Sequence, residues 1–347
     1  EGQEFYACIL DEAQAIKNHT TQKYKAVCKV RSRVRFALTG TPVENRLGEL
    51  WSIFSFLMPG YLPPYKSFCS RFEKPIVQEE DQTAVRRLNQ LTGPFILRRM
   101  KADVLKELPP KTENVYRIEL EEEQRKLYLA AVVDAKEKLR AAKPEDKMAV
   151  FAVLMQLREI CCDPRLIADN WEGGSAKLDA CVELISGAVE GGHRILLFSQ
   201  FTSMLELLAK RLDAEGISHF TLQGSTPKPV RAELVRRFNG GEVSVFLISL
   251  RAGGTGLNLT AADIVIHYDP WWNVAAQNQA TDRAYRIGQQ NPVQVYKLIA
   301  QDTIEEKIVE LQQAKQSLAD TVTGTADGAI LSMRPDELLQ LLEGSEG

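Results

Sequence analysis

The C-terminal half of the sequence alternates short apolar segments with longer amphipathic ones, and this alternation is the strongest constraint on the fold. The apolar segments, which we predict to be strands, are 195–201, 219–222, 245–250, 263–268 and 293–299. The segments predicted to be helical lie near 177–190, 202–214, 229–239, 274–286 and 303–318. Apolar strands that alternate with helices are typical of a parallel sheet with helices on both faces. We therefore predict a complete α/β domain at 176–302.

The N-terminal segment shows a shorter version of the same pattern. We predict short buried strands at 5–10 and 34–38 and a buried helix at 47–58. Two strands alone form a sheet with open edges, which are prone to association with another chain. We therefore interpret residues 1–60 as the C-terminal part of a first α/β lobe that is truncated in this sequence.

The segment between these two regions, residues 61–175, is rich in charged residues and is predicted to be mostly helical. Helical character is clearest at 121–160, with a short loop at 142–146. We interpret 61–175 as helical protrusions and a connector. Residues 303–347 are predicted to form a C-terminal brace helix followed by a polar tail.

Composition narrows the class of protein. The net charge is −3, and 44% of the residues are hydrophobic, as in a soluble globular protein. No apolar run approaches the ~18 residues of a membrane span, so we expect no membrane partner. The six cysteines contain no C-x-x-C pair, which favours reduced intracellular thiols over a zinc site.

The first polar motif, I-L-D-E, places Asp11 and Glu12 directly after the first predicted strand. Ligands of open parallel sheets bind at the carboxyl ends of the strands. An aspartate there can hold Mg²⁺, directly or through water, and a neighbouring glutamate can orient or deprotonate an attacking water. The alternative is an ordinary helix N-terminus, where acidic side chains are favoured.

The motif T-G-T-P at 39–42 directly follows the second predicted strand. Gly40 permits a tight turn there, and Pro42 stiffens it. Thr39 and Thr41 offer hydroxyl groups where two sheets or a nucleotide could meet. An ordinary strand-to-helix turn would use the same residue types.

A glycine-rich motif, R-A-G-G-T-G-L-N-L, follows a strand at 251–259. Glycines let backbone N–H groups approach phosphate oxygens closely, so the loop could hold a nucleotide or a nucleic-acid backbone. It lacks the lysine of G-x-x-x-x-G-K-[ST] and is not a P-loop. A purely structural glycine-rich turn is the alternative.

A fourth motif, Q-A-T-D-R-A-Y-R-I-G-Q, spans 279–289. Arg283 and Arg286 are three residues apart, so on a helix they would share one face. Two guanidinium groups aimed at one spot suit a polyanion, above all a transferring γ-phosphoryl group. A pair of ordinary surface arginines would have the same spacing.

These motifs belong to a larger set of segments, which are I-L-D-E-A-Q-A-I-K-N, L-T-G-T-P-V-E-N-R-L-G-E-L-W, F-I-L-R-R-M-K-A-D-V-L-K-E-L-P-P-K, Q-L-R-E-I-C-C-D-P-R-L, I-L-L-F-S-Q-F, S-L-R-A-G-G-T-G-L-N-L, D-P-W-W-N and Q-A-T-D-R-A-Y-R-I-G-Q. Together they resemble the SWI/SNF-type helicase-like ATPases of superfamily two, which are double-stranded DNA translocases that remodel protein–DNA complexes. The resemblance runs from residue 5 to about residue 310. It implies an α/β fold with two RecA-like parallel sheet lobes, of which the second is complete and the first truncated, with helical insertions.

The resemblance implies roles for the residues of the first lobe. Asp11 would coordinate Mg²⁺ through water, with ATP as the substrate, and Glu12 would activate the attacking water. Gln14 would sense the opposite lobe. Thr39 and Thr41 would line the cleft between the lobes and couple hydrolysis to contact with DNA.

Roles in the second lobe follow in the same way. Arg283 and Arg286 would act as arginine fingers, with Gly254 and Gln279 lining the same cleft. The candidates for contact with the DNA backbone are Ser199, Gln200, Gly224, Ser225 and Arg251. The expected partner is the backbone of double-stranded DNA, without sequence specificity, together with a protein of the remodelled complex.

One element of the family pattern has no counterpart in these residues. The sequence contains no G-K-[ST], the mark of the lysine loop that cradles the phosphates. We therefore expect this chain alone not to hydrolyse ATP. The alternatives are an inactive DNA- or protein-binding fragment and a strand-separating helicase. We expect a bacterial cytoplasmic, nucleoid-associated protein, with a nuclear location as the alternative.

Overall fold

A computed structural model gives the fold of most of the chain. The described residues are 3–39, 47–79, 81–97, 99, 105, 107–168, 170–250, 252, 256–312 and 333–343. They divide into two units, one within Glu1–Lys101 and Gln312–Ala329 and one within Ala102–Leu311 and Ile330–Gly347. Among the described residues, no helix is both long and apolar enough to cross a bilayer.

The first unit contains two parallel strands and several helices. The strands are β1 (Glu4–Leu10) and β2 (Arg31–Ala37), and the helices are α1 (Gln22–Cys28), α2 (Leu47–Leu57), α3 (Tyr65–Phe68), α4 (Lys74–Gln78) and α5 (Gln82–Thr92). A π-helical turn at Cys69–Glu73 joins α3 to α4. Phe54 of α2 packs with Phe68 and Leu88 in a small apolar core. The predicted strands and the helix at 47–58 are confirmed, each to within three residues at its ends.

The prediction that these two strands are buried is wrong. Tyr6 is 74% exposed, Ile9 61% and Phe36 53%. The reason is that β1 and β2 form a sheet of two strands among the described residues, so their apolar side chains lack neighbouring strands to cover them.

The second unit contains a six-stranded parallel sheet in the order β3-β8-β7-β4-β6-β5. The strands are β3 (Lys111–Ile118), β4 (Ile195–Ser199), β5 (His219–Leu222), β6 (Val245–Ser249), β7 (Ile264–His267) and β8 (Val293–Ala300). The helices are α6 (Glu122–Ala141), α7 (Lys147–Cys162), α8 (Ala176–Glu190), α9 (Thr202–Ala214), α10 (Lys228–Asn239), α11 (Val274–Thr281) and α12 (Pro335–Glu343). The predicted α/β fold, with a parallel sheet and surrounding helices, is confirmed.

Alternating residues of the central strands bury the two faces of this sheet. Ile195 and Leu197 of β4 pack towards α8 and α9 in one apolar cluster. Leu196 and Phe198 of the same strand pack in a second cluster, with residues of α10 and α11. This two-sided burial explains why the central strands are continuous apolar runs in the sequence.

The prediction of helical protrusions and a connector at 61–175 missed one strand. Residues 111–118 form β3, which pairs with β8 along its whole length at the edge of the sheet. The sequence K-T-E-N-V-Y-R-I contains no apolar run, because all of its residues except Ile118 are exposed. An exposed edge strand is often polar, and polarity protects it from pairing with other chains.

Two long helices, α6 and α7, confirm the predicted helical character of 121–160 and its loop at 142–146. They share an apolar cluster with Trp272, Ile304 and Leu338. The prediction of a polar tail is wrong for 335–343, because α12 buries Leu338 and Leu342 against these helices. Residues 304–312 are helical, as predicted, whereas residues 313–318 lie outside the described chain.

Candidate functional site

The carboxyl end of β1 carries Asp11 and Glu12 in a tight turn. Glu12 has φ 51° and ψ 51°, the left-handed conformation that side chains other than glycine rarely adopt. Asp11 Oδ1 accepts a hydrogen bond of 2.9 Å from the backbone N–H of Glu12. Backbone strain of this kind is concentrated at functional sites. Both carboxylates are exposed, so they are accessible to a ligand.

Gln14 links the ends of the two strands of the first unit. Its Nε2 donates to Glu12 Oε2, and its Oε1 accepts a hydrogen bond of 2.7 Å from Thr39 Oγ1. The backbone supports this link, since Ala13 N donates to Leu38 O at 2.9 Å. The structure therefore brings Glu12, Gln14 and Thr39 into one hydrogen-bonded chain, as expected for motifs that follow neighbouring parallel strands.

In the second unit, the predicted DNA-contact residues follow the adjacent strands β4, β6 and β5. Gly224 and Ser225 are exposed in the loop after β5. Arg231 of α10 holds this loop by donating from Nη2 to Gly224 O at 2.8 Å and from Nε to Thr226 O at 2.8 Å. The loop thus presents its own residues at the surface on a fixed backbone.

Ser199 lies behind the surface at the end of β4. Its side chain donates a hydrogen bond of 2.6 Å to Asp269 Oδ1, and the residue is 1% exposed. The neighbouring Gln200 is half-buried. This geometry favours a supporting role for Ser199 and leaves Gln200 as the better candidate for direct contact.

The prediction that Arg283 and Arg286 share a helical face is wrong, because α11 ends at Thr281. Residues 282–288 form successive tight turns, which end at Gly288 with φ 103°. These turns are hydrogen-bonded to residues 257 and 259. Leu259 N donates to Arg283 O at 3.0 Å, and Arg286 Nη1 donates to Leu257 O at 3.0 Å.

The turn that carries the two arginines is therefore bound directly to the end of the glycine-rich segment. Arg283 is 7% exposed and Arg286 is half-buried. Gln279, also half-buried, lies one turn earlier on α11. Three other predicted site residues, Thr41, Arg251 and Gly254, lie outside the described residues.

Sequence reasoning gave no role to Arg158, which lies at the centre of a buried polar network. Its side chain, like that of Asp269, is 0% exposed, and Nη2 lies 3.1 Å from Asp269 Oδ2. Nη2 also donates to Pro270 O at 2.7 Å, and Nη1 donates to Gln200 Oε1 at 3.0 Å. The signal in the sequence is an arginine inside the apolar helical run L-M-Q-L-R-E-I-C-C, combined with D-P-W-W-N.

His267 is a second buried polar residue near these loops. Its Nε2 lies 2.9 Å from Thr281 Oγ1, and its ring stacks on Phe198. Burial, together with the nearby charges of Lys297 and Lys111, lowers the pKa of His267 from 6.5 to about 3. The imidazole is therefore neutral in the folded protein.

This burial predicts a pH-dependent stability. The pKa of His267 is lower in the folded state than in the unfolded state. Its contribution to the free energy of unfolding is therefore complete above pH 6.5 and is lost as the pH falls towards 3. Between pH 7 and 5, the free energy of unfolding should fall by up to about 1.4 kcal/mol per pH unit from this group. Urea unfolding at several pH values should show a flatter profile for His267→Gln.

The window from pH 7 to 5 isolates this effect from a neighbouring carboxylate. Burial alone would raise the pKa of Glu113, but hydrogen bonds from Lys111 and Lys297 lower it from 4.5 to about 2. Its contribution is therefore lost only below pH 4.5. Parallel profiles for the wild type and His267→Gln would contradict the role of His267.

Comparisons with known proteins give matches over most of the chain. The SNF2-related domain matches residues 2–166, and the helicase conserved C-terminal domain matches residues 176–288. The putative ATP-dependent helicase/translocase YwqA of Bacillus subtilis is 40% identical over 341 residues, which cover 96% of this chain and 37% of YwqA. The human SWI/SNF-related matrix-associated actin-dependent regulator of chromatin subfamily A member 1 is 37% identical over 351 residues, which cover 96% of this chain and 34% of that protein. The chain thus spans about a third of the length of these relatives.

Solved structures extend the comparison. The Sulfolobus solfataricus SWI2/SNF2 ATPase core in complex with dsDNA is 36% identical, with a TM-score of 0.58, over 96% of this chain and 71% of that one. The C-terminal part of the Fun30 ATPase domain, at 24% identity and a TM-score of 0.53, supports the fold over 68% of this chain. The chain belongs to the SWI2/SNF2 family of helicase-like proteins.

Proposed function

We propose that the whole protein is an ATP-driven translocase on double-stranded DNA that remodels protein–DNA complexes. The observation that carries the proposal is the likeness to the Sulfolobus solfataricus SWI2/SNF2 ATPase core solved with dsDNA. The matched region covers 71% of that solved chain. The arrangement of polar residues within each unit is compatible with it. In both units, candidate residues such as Glu12 and Gln200 follow the carboxyl ends of parallel strands, where ligands of such sheets bind.

The first unit supplies groups suited to hydrolysis of a phosphoanhydride. The Glu12 carboxylate orients the attacking water and accepts its proton, and Gln14 holds that carboxylate through its Nε2. Asp11 fits Mg²⁺, because its exposed carboxylate is the hard oxygen ligand that this ion prefers, with water completing the shell. Bound Mg²⁺ would neutralise charge on the phosphates.

The second unit supplies positive charge. The guanidinium groups of Arg283 and Arg286 stabilise the charge that develops on the transferring phosphoryl group. The hydrogen bonds from this turn to Leu257 and Leu259 fix its position against the glycine-rich segment. A displacement of Leu257 and Leu259 by bound DNA would therefore move the arginines as well, and this would couple DNA binding to hydrolysis.

Contact with DNA is proposed at Gln200, Gly224 and Ser225, which follow β4 and β5. These residues offer one amide, one hydroxyl and backbone N–H groups, and they carry no net charge. Such groups bind phosphate oxygens and position a protein on DNA without reading its sequence. The proposed translocase is therefore expected to act on duplexes of any sequence.

An ATPase assay of the whole protein, with and without duplex DNA, tests the proposal. We expect turnover that requires DNA. The affinity for DNA should fall between 50 and 200 mM salt in proportion to the number of lysine and arginine side chains that bind phosphates beside the three uncharged residues proposed above. Turnover unchanged by DNA would contradict the proposal. Displacement of a strand from a forked duplex would favour the alternative, a strand-separating helicase.

The 347-residue chain by itself should behave differently. Because its sequence contains no G-K-[ST], we expect no ATP hydrolysis by the purified chain, even with DNA present. Hydrolysis of radiolabelled ATP at a rate near that of the whole protein would contradict this expectation. Retained DNA binding would identify the chain as an inactive DNA-binding fragment.

A further inference from the structure

We propose that Arg158 is a positioning residue for DNA binding, which acts by holding Gln200 and the loop at 269–272. The inference rests on the proposed function, because it assumes that Gln200 contacts DNA. It adds a residue of the helical protrusion, far along the chain from every residue assigned so far, to the machinery of the second unit.

The hydrogen bonds of Arg158 join three elements of the second unit. The residue lies on α7, Gln200 lies after β4, and Asp269 and Pro270 lie after β7. Its two terminal nitrogens donate to one acceptor in the loop after β4 and to two acceptors in the loop after β7, at 2.7 to 3.1 Å. Only a guanidinium fork presents several donors in one plane to acceptors that diverge in this way.

Asp269 continues the network to the backbone of the first loop. Its Oδ1 accepts hydrogen bonds of 2.6 Å from Ser199 Oγ and 3.1 Å from Gln200 N. The side chain and the backbone of Gln200 are therefore fixed by one buried ion pair. Without Arg158, the side-chain oxygen of Gln200 would lose the hydrogen bond that it accepts from Arg158 Nη1. Asp269 would remain as a buried charge without its cation.

The aromatic residues around Arg158 shield its hydrogen bonds from water. Its guanidinium carbon lies 4.8 Å from the ring centre of Trp272, 5.3 Å from that of Phe201 and 5.6 Å from that of Trp271. A cation enclosed in this way cannot itself reach a phosphate. Its effect on DNA must therefore pass through the loops that it holds.

The experiment measures binding of the whole protein to duplex DNA by fluorescence anisotropy, without nucleotide and at several salt concentrations. The test variant, Arg158→Met with Asp269→Asn, removes both buried charges so that neither remains uncompensated. The matched control, Lys177→Met with Glu305→Gln, removes a second buried ion pair of the unit, whose side chains are also both 0% exposed. Circular dichroism melts of both variants measure any general loss of stability.

We expect the Kd of the test variant to rise by roughly 3- to 10-fold, as for one or two lost hydrogen bonds. The slope of log K against log salt should stay that of the wild type, because no phosphate-binding cation has been removed. The control should keep the wild-type Kd. Adding Gln200→Ala to the test variant should raise Kd no further, because both changes act through the same contact.

Other outcomes would overturn the proposal. A wild-type Kd for the test variant, an equal rise for the control, or a full additional rise with Gln200→Ala would each show that Arg158 does not act through Gln200. Arg158→Lys binding as tightly as the wild type would overturn the role of the guanidinium fork in holding both loops. If the wild type itself does not bind DNA, the proposed function fails, whereas the other results leave that function intact.

Discussion

Arg286→Ala should lower the kcat of DNA-stimulated ATP hydrolysis by the whole protein by about 10³-fold or more, the range found for arginine fingers. The expectation follows from the charge that the guanidinium brings to the transferring phosphoryl group. Arg286 is the better choice for this test, because Arg283 is 7% exposed and its loss would disturb packing as well. The measurement is steady-state turnover at saturating ATP and DNA.

Two controls separate chemistry from structure. Arg286→Lys keeps the charge but loses the fork of donors, so it should recover only part of the activity. Arg236→Ala removes an arginine of α10 whose side chain is 74% exposed, and it should keep wild-type turnover. Turnover within a few-fold of the wild type for Arg286→Ala would contradict the assignment.

Glu12→Gln should lower kcat by about 10²- to 10⁴-fold, as expected for loss of a general base. The substitution isolates the charge, because glutamine keeps an oxygen that can accept the hydrogen bond from Gln14 Nε2. ATP binding should therefore survive while turnover is lost. Measuring the Kd for ATP beside kcat checks both parts of the prediction.

The matched control is Glu4→Gln, which removes an exposed carboxylate from β1, the strand that precedes Glu12. It should leave kcat unchanged. If Glu12→Gln raises KM for ATP and keeps kcat, Glu12 contributes to binding and the proposed base must be sought elsewhere.

The central strands could be predicted because burial on both faces leaves an uninterrupted apolar run. The ends of β4 and β6 differ from the predicted ones by at most two residues. β3 escaped prediction because an exposed edge strand carries no such run, and its partner β8 lies about 180 residues further along the chain. The end of α11 was also not predicted, because the sequence from Asp282 to Arg286 fits a helical pattern. In the structure these residues form turns that are hydrogen-bonded to residues 257 and 259.

The candidate site could be predicted only in part from the sequence, because some of its contacts join distant residues. Glu12 and Thr39 each follow an apolar strand, so parallel topology alone brings them together. The network of Arg158 joins residues separated by 42 and 111 positions, and no local periodicity encodes such contacts. The hydrogen bond of Ser199 could not be predicted either, because its partner, Asp269, lies in the loop after β7.

The most direct test of this account is a structure of the whole protein with Mg²⁺, a non-hydrolysable ATP analogue and duplex DNA. The account predicts that the Glu12 carboxylate and the Arg286 guanidinium both lie within hydrogen-bonding distance of the γ-phosphate or the water next to it. It would be contradicted if Arg283 and Arg286 faced a cavity without nucleotide while Glu12 faced the phosphates.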